Sequence, residues 1–235
     1  MKLLNIDKDL LLKPLQMVAG IVERRHTLPI LSNVFLKANN NDLEVIATDL
    51  EIQIATNTPL EKSYKSETLT ISERKTLDIL RALPDNTKIR LEASENRATL
   101  KSGKSKFHLQ TLPSGDFPLI AAKDNAHLDT VIIEQKVLKN MLQKVQFSMA
   151  QQDIRYYLNG LLLVLDGDTM RLIATDGHRL SHSATKLETS VGNRETILPR
   201  KTVLELLKLL DSDQSTVKLE ITDTQITVRF GNVTL

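Results

Sequence analysis

The tetrapeptide IATD occurs twice in this chain, at Ile46–Asp49 and at Ile173–Asp176, a spacing of 127 residues. Other features recur in the same order at nearly the same spacing. They are Leu11, Leu15 and Val18 with Leu138, Leu142 and Val145; Arg74-Lys75 with Arg200-Lys201, at 126; and Phe107 and Leu109 with Val233 and Leu235, at 126. Several features in one order predict two tandem copies of a domain of about 126 residues.

Each copy has the pattern of a helix, strands, a second helix and closing strands. Apolar residues spaced three to four apart predict the first helix, with Asp7 or Asp9 as its cap. Pro14 is expected to kink that helix or to shift its start. Ser72 is expected to cap the second helix. In the second copy the segment VGNRE, residues 191–195, is predicted to be a loop. These patterns together predict an α+β fold.

The composition limits the possible functions. The chain has 235 residues, 41% of them hydrophobic, no Cys and a net charge of +2. Without Cys there is no disulfide framework and no thiolate zinc site, and no apolar run approaches the roughly 20 residues of a membrane span. We therefore expect a cytoplasmic protein without a cofactor. The small net charge implies that any contact with nucleic acid is local and weak.

Five segments together carry a family resemblance. They are RHTLPIL (Arg25–Leu31), TLPSGDFP (Thr111–Pro118), QFSMAQQDIRYYLNG (Gln146–Gly160), ATDGHRL (Ala174–Leu180) and LPRK (Leu198–Lys201). In this order and spacing they resemble the beta sliding clamp of bacterial DNA polymerase III, from Lys2 to Leu235. Chains of that family have three similar domains, and two chains close head-to-tail into a ring around DNA. The resemblance implies tandem DNA-clamp domains, each with two helices packed on antiparallel sheets.

The expected domain limits follow from the repeat and the resemblance. Residues 1–122 would form clamp domain one, and residues 128–235 clamp domain two with an incomplete last strand. The third clamp domain would be absent, so we expect a truncated piece of a longer protein. Such a piece is expected to be monomeric and not to close a ring.

The resemblance also implies a function. The full protein would be a non-catalytic processivity factor that encircles duplex DNA without sequence preference. Its partners would be the replicative polymerase subunit, the clamp loader, other clamp-motif proteins and a second copy of itself. The positions that match family contacts to DNA are Arg25, Gln152, Tyr156, Tyr157 and Lys201. From the residues alone, one buried and one exposed tyrosine is an equally good interpretation of the adjacent pair.

Further cations on the four predicted helices could face the DNA backbone. They are Lys8 and Lys13; Arg74, Lys75 and Arg81; Lys139 and Lys144; Arg200, Lys201 and Lys208. Spaced cations would hold the phosphates without impeding sliding, because they make few direct contacts. For any single lysine, an ordinary solvated helix face is the simpler explanation, so the inference depends on the four helices together.

Two protein interfaces are implied by the same resemblance. The groove that receives short partner peptides matches Arg155, Leu158, Thr175, Gly177, His178, Arg179 and Leu180. Its other wall would come from the third domain, so we expect weak or no peptide binding by this chain. Phe107 and Leu109 match positions where domain one meets domain three of a partner chain. They share one strand face, which would be an exposed apolar edge if it points outward.

Other interpretations stay open at this stage. Asp176, His178 and Ser181 could be taken for a catalytic triad, although their spacing in an extended segment argues against it. Asp176, His178 and His182 could be taken for metal ligands. The Asp176-Gly177 pair could also be a simple turn after a strand. Finally, the chain could be a two-domain adaptor that docks partners without encircling DNA.

Overall fold

A computed structural model of the chain describes residues 2–22, 27–94, 97–121, 128–211, 213 and 215–235. The protein divides into two compact units. Unit one is Met1–Ala121 together with Asn232–Leu235, and unit two is Ala122–Gly231. The domain boundary expected between residues 122 and 128 lies almost wholly outside the described residues.

Unit one alternates strands and helices. Its elements are β1 (Lys2–Asp7), α1 (Asp9–Val18), β2 (Asn33–Thr48), β3 (Gln53–Ser72), α2 (Glu73–Ala82), β4 (Lys88–Ser94), β5 (Arg97–Ser102) and β6 (Ser105–Gln110), with 3-10 turns at Ala19–Ile21, Pro29–Ser32 and Ser114–Asp116. Strands β1, β4, β5 and β6 form an antiparallel sheet in that order. Strands β2 and β3 form a long hairpin, to which Val233–Thr234 adds a short third strand.

Unit two repeats the order. Its elements are β7 (Asp129–Glu134), α3 (Gln135–Val145), β8 (Gly160–Thr175), β9 (Leu180–Pro199), α4 (Arg200–Leu209), β10 (Thr216–Ile221) and β11 (Ile226–Phe230), with 3-10 turns at Gln146–Ser148 and Tyr156–Leu158. Strand β10 pairs antiparallel with β7 and β11, and β8 pairs antiparallel with β9. The predicted α+β class with tandem antiparallel units is confirmed.

The first helix of each unit packs one apolar face into its own core. Helix α1 buries Leu11, Pro14, Leu15 and Val18, and α3 buries Leu138, Met141, Leu142 and Val145. Residues three and four apart lie on one side of a helix, so this spacing creates the buried stripe. Each fully buried Leu or Val contributes about 1.5–3 kcal/mol of transfer free energy. The helices therefore hold the long hairpins in place.

The two copies correspond at a spacing of 127 residues from β1 to α2. Helix α2 begins at Glu73 and α4 at Arg200, so Arg74 corresponds to Lys201. The match of Arg74-Lys75 with Arg200-Lys201 is therefore wrong by one residue. One extra residue precedes β10, and the spacing becomes 128 from there on. This is visible at the equivalent left-handed turn residues Gly103 and Gly231.

The shift to 128 also changes how the last strands correspond. With Gly103 equivalent to Gly231, Phe107 corresponds to Leu235. The match of Phe107 and Leu109 with Val233 and Leu235 is therefore wrong by two residues. The cause is the longer connection between α4 and β10, which similarity of short apolar patterns does not reveal.

Two local predictions are also corrected. Lys8 rather than Asp7 or Asp9 stands at the N-cap position of α1, and the helix continues through Pro14, so its start is not shifted. Residues 191–195 are part of the 20-residue strand β9 and not a loop, because cross-strand pairing with β8 extends as far as Pro199. No helix within the described residues is long and apolar enough to cross a membrane.

Candidate nucleic-acid interface and peptide groove

The loop between α3 and β8 is closed by one asparagine. The backbone N–H of Asp153 donates to Oδ1 of Asn159 at 2.9 Å, and Nδ2 of Asn159 donates to the Asp153 carbonyl at 2.8 Å. Such paired side-chain bonds replace the backbone partners that an irregular segment lacks. The loop Gln151–Asn159 therefore has a defined conformation, in which Gln152 adopts a positive φ of 57°.

Asp153 also fixes the side chain of Arg155. Its Oδ1 accepts from the backbone N–H of Arg155 at 2.8 Å and from Nε at 3.0 Å, while Oδ2 accepts from Nη2 at 2.9 Å. The bonds from the Arg155 side chain, followed by that from its backbone N–H, lower the pKa of Asp153 from 3.8 to about 2. The same pairing raises the pKa of Arg155. The guanidinium is thus held in one place on an exposed loop.

Gly177 lies directly beside that guanidinium. A Cβ atom at Gly177 would be 3.3 Å from Nη2 and 3.6 Å from Nη1 of Arg155. Gly177 also has a φ of +88°, a region that residues with side chains avoid. The loop and the β8–β9 turn therefore meet at Arg155 and Gly177, two of the expected groove residues.

The β8–β9 turn is held by Thr175 and Asp176. The Thr175 hydroxyl donates to the Arg179 carbonyl at 2.7 Å and accepts from the Gly177 N–H at 3.1 Å. The Asp176 Oδ1 accepts from the N–H groups of His178 and Arg179, both at 3.0 Å. These two backbone bonds are the largest causes of the lowered pKa of Asp176. The turn interpretation of Asp176-Gly177 is the one that the geometry supports.

The triad and metal interpretations of this segment do not fit the geometry. The Asp176 carboxylate is engaged by the turn and by Nε of Arg179 at 2.9 Å. The Ser181 hydroxyl bonds the Ser148 hydroxyl at 2.6 Å. Among the residues that the structure describes, no group of three or more His, Asp or Glu side chains could hold a metal ion.

Unit one contains the same turn. Thr48 Oγ1 donates to the Ile52 carbonyl and accepts from the Leu50 N–H, at 2.9 and 3.1 Å. Asp49 Oδ1 accepts from the N–H groups of Glu51 and Ile52 at 3.1 and 2.8 Å. Leu50 stands at the position of Gly177 and keeps a φ of 81°. The bonding by threonine and aspartate is therefore sufficient to set this turn even with a side chain at the left-handed position.

The two adjacent tyrosines are both exposed. Tyr156 is 81% and Tyr157 50% exposed, and their rings meet edge-to-face at 5.9 Å between centroids. They lie in a 3-10 turn, and the interpretation of one buried and one exposed ring is wrong. Leu158, at the end of the same turn, is buried.

Gln152 and Lys201 line one cleft of about 570 Å³ in unit two. The cleft lies between the loop Gln151–Asn159 and α4, and Arg200 and Lys208 contribute further positive charge. Glu205, which also lines it, pairs with Lys208 at 2.6 Å. Arg25, which corresponds to Gln152 in the repeat, lies outside the described residues.

Two of the helix cations form hydrogen bonds within their own unit. Lys8 is only 4% exposed, and its ammonium donates to the Leu83 carbonyl at 3.1 Å and to Asp85 at 2.9 Å. Its assignment to the DNA-facing set is wrong, because burial withdraws it from any phosphate. Lys139 donates to the Leu210 carbonyl at 2.6 Å. Lys13, Arg74, Lys75, Arg81 and Lys144 are exposed.

Phe107 and Leu109 do share one face of β6. They lie opposite Leu100 and Ala98 of β5. Leu109 is 2% exposed and Phe107 is half-buried, so this face points into unit one. An outward apolar face is therefore excluded, although β6 remains the last strand of its sheet.

Three residues at this site escaped the sequence reasoning. They are Asp153, Asn159 and Phe147, whose ring lies 5.5 Å from the Arg179 guanidinium. An Asp two residues before an Arg is a weak signal of such a pair. The stacking of Arg179 on Phe147 joins segments 32 residues apart and leaves no sequence signal.

Comparisons with known proteins bear on both halves of the chain. A family described as DNA polymerase III beta subunit, N-terminal domain, matches residues 1–121, and its central-domain counterpart matches residues 132–235. The chain is 44% identical over 217 residues to the beta sliding clamp of Vibrio cholerae, covering 92% of this chain and 59% of that one. It is 36% identical to the beta sliding clamp of Escherichia coli, covering 97% and 62%.

Solved structures agree with these matches. A crystal structure of the DNA polymerase III subunit beta from Pseudomonas aeruginosa has a TM-score of 0.93 at 39% identity, covering all of this chain and 63% of that one. The clamp of the same species bound to griselimycin has a TM-score of 0.92 at 38% identity, covering 99% and 63%. The chain thus spans about three fifths of the length of these relatives.

Proposed function

Because this chain belongs to the DNA polymerase III beta subunit family, the beta sliding clamps, we propose that it supplies part of a ring around duplex DNA. In this role it is a non-catalytic processivity factor that tethers a replicative polymerase to its template. It needs no cofactor, and it works in the cytoplasm. The relatives are longer than this chain, so the closed ring and its partners are part of the proposal.

The observation that carries the proposal is the meeting of Gln152 and Lys201 in one cleft. Tyr156 and Tyr157 extend from the same loop into solvent. An amide and an ammonium can bond phosphate oxygens, and a tyrosine can stack on a base or sugar or donate its hydroxyl. None of these groups reads a base sequence on its own. Arg25 completes this set of proposed DNA contacts.

Weak contact is useful for this function. The net charge of +2 is small, and Lys208 is partly neutralised by Glu205 at 2.6 Å. A few scattered cations attract the DNA backbone but release it again quickly, because each phosphate contact adds little affinity at physiological salt. Encirclement rather than tight binding would then keep the protein on DNA.

Partner docking is assigned to the turn of unit two. Arg155 is fixed by Asp153, and Arg179 is fixed by Asp176 and Phe147. Leu180 is 66% exposed beside them. Two oriented guanidinium groups and an exposed leucine suit a short peptide with apolar and acidic residues. The polymerase subunit, the clamp loader and other clamp-motif proteins are the proposed ligands of these residues together with Thr175, Gly177, His178 and Leu158.

The assembly proposal concerns β6. Its outer edge ends the sheet of unit one, and a ring partner can pair with such an edge through backbone hydrogen bonds. Phe107 and Leu109 would support that edge from the inside, since their shared face is buried. The full-length protein would form a homodimeric ring, and this chain alone would be a monomer.

The test is binding to a linear fluorescent DNA duplex at several salt concentrations, measured by anisotropy. We expect weak binding that falls as salt rises. Lys201→Ala should weaken it and reduce the slope of log affinity against log salt by about one ion. The matched control is Lys186→Ala, which removes an exposed lysine that pairs with Asp168 elsewhere in unit two. Tight, salt-insensitive binding, or equal losses in both variants, would refute the proposed DNA site.

A further inference from the structure

Asn159 and Gly160 form the only Asn-Gly pair in the sequence. Asn159 ends the loop Gln151–Asn159, and Gly160 is the first residue of β8. The side-chain amide of an asparagine can react with the backbone nitrogen of the next residue, which is one reason why asparagine is thermolabile. Glycine obstructs that nitrogen least, because it has no Cβ and its backbone rotates freely. Asn159 is therefore the chemically most labile asparagine of the chain.

The folded structure engages all four polar groups of Asn159. Its backbone N–H donates to the Tyr156 carbonyl at 3.0 Å, and its carbonyl accepts from the Arg200 N–H at 2.9 Å. Its side chain bonds the backbone N–H and the carbonyl of Asp153, at 2.9 and 2.8 Å. Gly160 is buried. The amide is thus held against Asp153, and the nitrogen of Gly160 is shielded from water, so the closed loop blocks the reaction.

Packing and hydrogen bonding require both residues of this labile pair. A Cβ atom at Gly160 would lie 2.4 Å from the Leu198 carbonyl oxygen and 3.0 Å from Cγ2 of Ile197, so no other residue fits there. Position 159 needs a short side chain with both a donor and an acceptor, because it bonds both backbone groups of Asp153. Aspartate lacks the donor and glutamine is longer by one methylene. The structure therefore retains a reactive dipeptide at the point where the loop closes.

We propose that Asn159 is a site of spontaneous deamidation, which becomes reactive only when the loop Gln151–Asn159 leaves its closed conformation. In the open loop the backbone nitrogen of Gly160 loses its proton to water and attacks Cγ of Asn159. A bond forms between that nitrogen and Cγ, the bond from Cγ to Nδ2 breaks, and Nδ2 leaves as ammonia after taking up a proton. Water then opens the cyclic imide at either carbonyl, which gives aspartate or isoaspartate. Water is the only co-reactant.

Neither product can close the loop again. An aspartate at position 159 presents a carboxylate oxygen where Nδ2 donates to the Asp153 carbonyl, so two acceptors face each other without a proton between them. Isoaspartate adds a carbon to the backbone and displaces the carbonyl that the Arg200 N–H bonds. The modification is one-way and releases the loop that carries the two exposed tyrosines. The chemical step itself does not depend on the proposed function.

The first experiment incubates the 235-residue chain in mildly alkaline buffer, both folded and unfolded in urea. Peptide mapping by mass spectrometry follows the mass gain that replacement of NH₂ by OH brings at each asparagine. In urea, Asn159 should react about tenfold faster or more than Asn86, which is followed by threonine. Folding should slow the reaction of Asn159. The proposal is overturned if Asn159 reacts no faster than Asn86 in urea, or equally fast in the folded and unfolded chains.

Hydrogen exchange measures the loop opening independently. The Asp153 N–H donates to Oδ1 of Asn159 at 2.9 Å, so the opening that frees the asparagine also exposes this amide. The factor by which folding slows deamidation should equal the protection factor of the Asp153 amide within about fivefold, at the same pH and temperature. A larger departure in either direction would show that another motion controls the reaction, and would overturn the proposal.

Two variants test the effect of the product. Asn159→Asp should lower the protection of the Asp153 amide about tenfold or more, because the closing bond is lost. The control is Asn140→Asp, which adds the same charge to an exposed asparagine of α3 and should leave that protection unchanged. Far-UV circular dichroism checks folding, and chain deamidated in urea and then refolded replaces Asn159→Asp if the variant does not fold. Undiminished protection would overturn the proposed release of the loop.

Discussion

Asp153 accepts three hydrogen bonds from a single residue, Arg155, through its backbone N–H, its Nε and its Nη2. The pair holds the guanidinium against Gly177, where a methyl group would be only 3.3 Å from it. The loop that carries Tyr156 and Tyr157 and the turn that carries His178 and Arg179 therefore meet at this ion pair. Changes at this pair affect both proposed interfaces.

Acid titration should reveal the Asp153–Arg155 pair. The pKa of Asp153 is lowered from 3.8 to about 2, so the pair is fully formed above pH 3.8 and is lost as pH falls through about 2. The NMR signal of the Arg155 Nε–H should keep its neutral-pH position down to about pH 3. Asp153→Asn should shift that signal wherever the unaltered carboxylate is ionised, that is above about pH 3. If the pH titration of this signal had its midpoint close to pH 4 in the unaltered protein, the pairing would be contradicted.

Gly177→Ala should destabilise unit two and move Arg155. The positive φ of 88° costs about 1 kcal/mol for alanine, and the new methyl group pushes against the guanidinium. Urea unfolding gives the stability, and the Arg155 Nε–H signal gives the displacement. The control is Gly115→Ala, where no atom lies within 4 Å of the added Cβ and stability should stay equal or rise slightly. Equal effects of the two substitutions would argue against the special position of Gly177.

Lys8→Met should destabilise unit one by about 1–3 kcal/mol, because a buried side chain loses its bond to the carbonyl of Leu83, the C-cap residue of α2. Methionine keeps most of the length of the side chain, so packing changes little. Thermal unfolding of the variant measures the loss. Lys13→Met, on the exposed side of α1, should change stability by less than about 0.5 kcal/mol. A neutral Lys8→Met would show that the buried ammonium is not a net stabiliser.

Phe117→Ala should cost about 3 kcal/mol or more, since it leaves a cavity beside Phe35 in the cluster with Ile30 and Ile46. Leu119→Ala is the matched case, because Leu119 lies two residues further on and is half-exposed. Its loss should stay below about 1 kcal/mol. Chemical denaturation followed in both variants decides the comparison. A small effect of Phe117→Ala would mean that the Phe117 ring contributes little to the packing against Phe35 of the β2–β3 hairpin.

Much of the fold could be predicted from the sequence, because its signals are local and repeated. The recurrence of Ile46–Asp49 at Ile173–Asp176 marks the same strand end in both copies, and the helical spacing of Leu11, Leu15 and Val18 marks a buried face. The register after α4 could not be predicted, since one additional loop residue leaves no pattern. The length of β9 was also missed, because its exposed half depends on pairing with β8 and carries few apolar residues.

Some features of the candidate site could also be predicted from local sequence, and others could not. Asp176 and Gly177 indicate a turn from their chemistry alone, and the turn exists as that pattern predicts. Exposure of both tyrosines was not predictable, since it depends on the 3-10 turn that Asn159 and Asp153 stabilise. The burial of Lys8 was not predictable either, because its partners Leu83 and Asp85 are more than 70 residues away. Contacts between distant segments decide these cases.

The turn that occurs at Thr48–Ile52 and again at Thr175–Arg179 has a consequence for how the two copies diverge. In both, a threonine and an aspartate hold the backbone, and the intervening side chains take no part in that bonding. After a gene duplication, the two positions between the aspartate and the last residue of the turn can therefore change without loss of the fold. Leu50-Glu51 in unit one and Gly177-His178 in unit two are two different residue pairs on the same turn backbone. Single substitutions at these two positions can therefore change the exposed surface of the turn while its backbone bonding is kept.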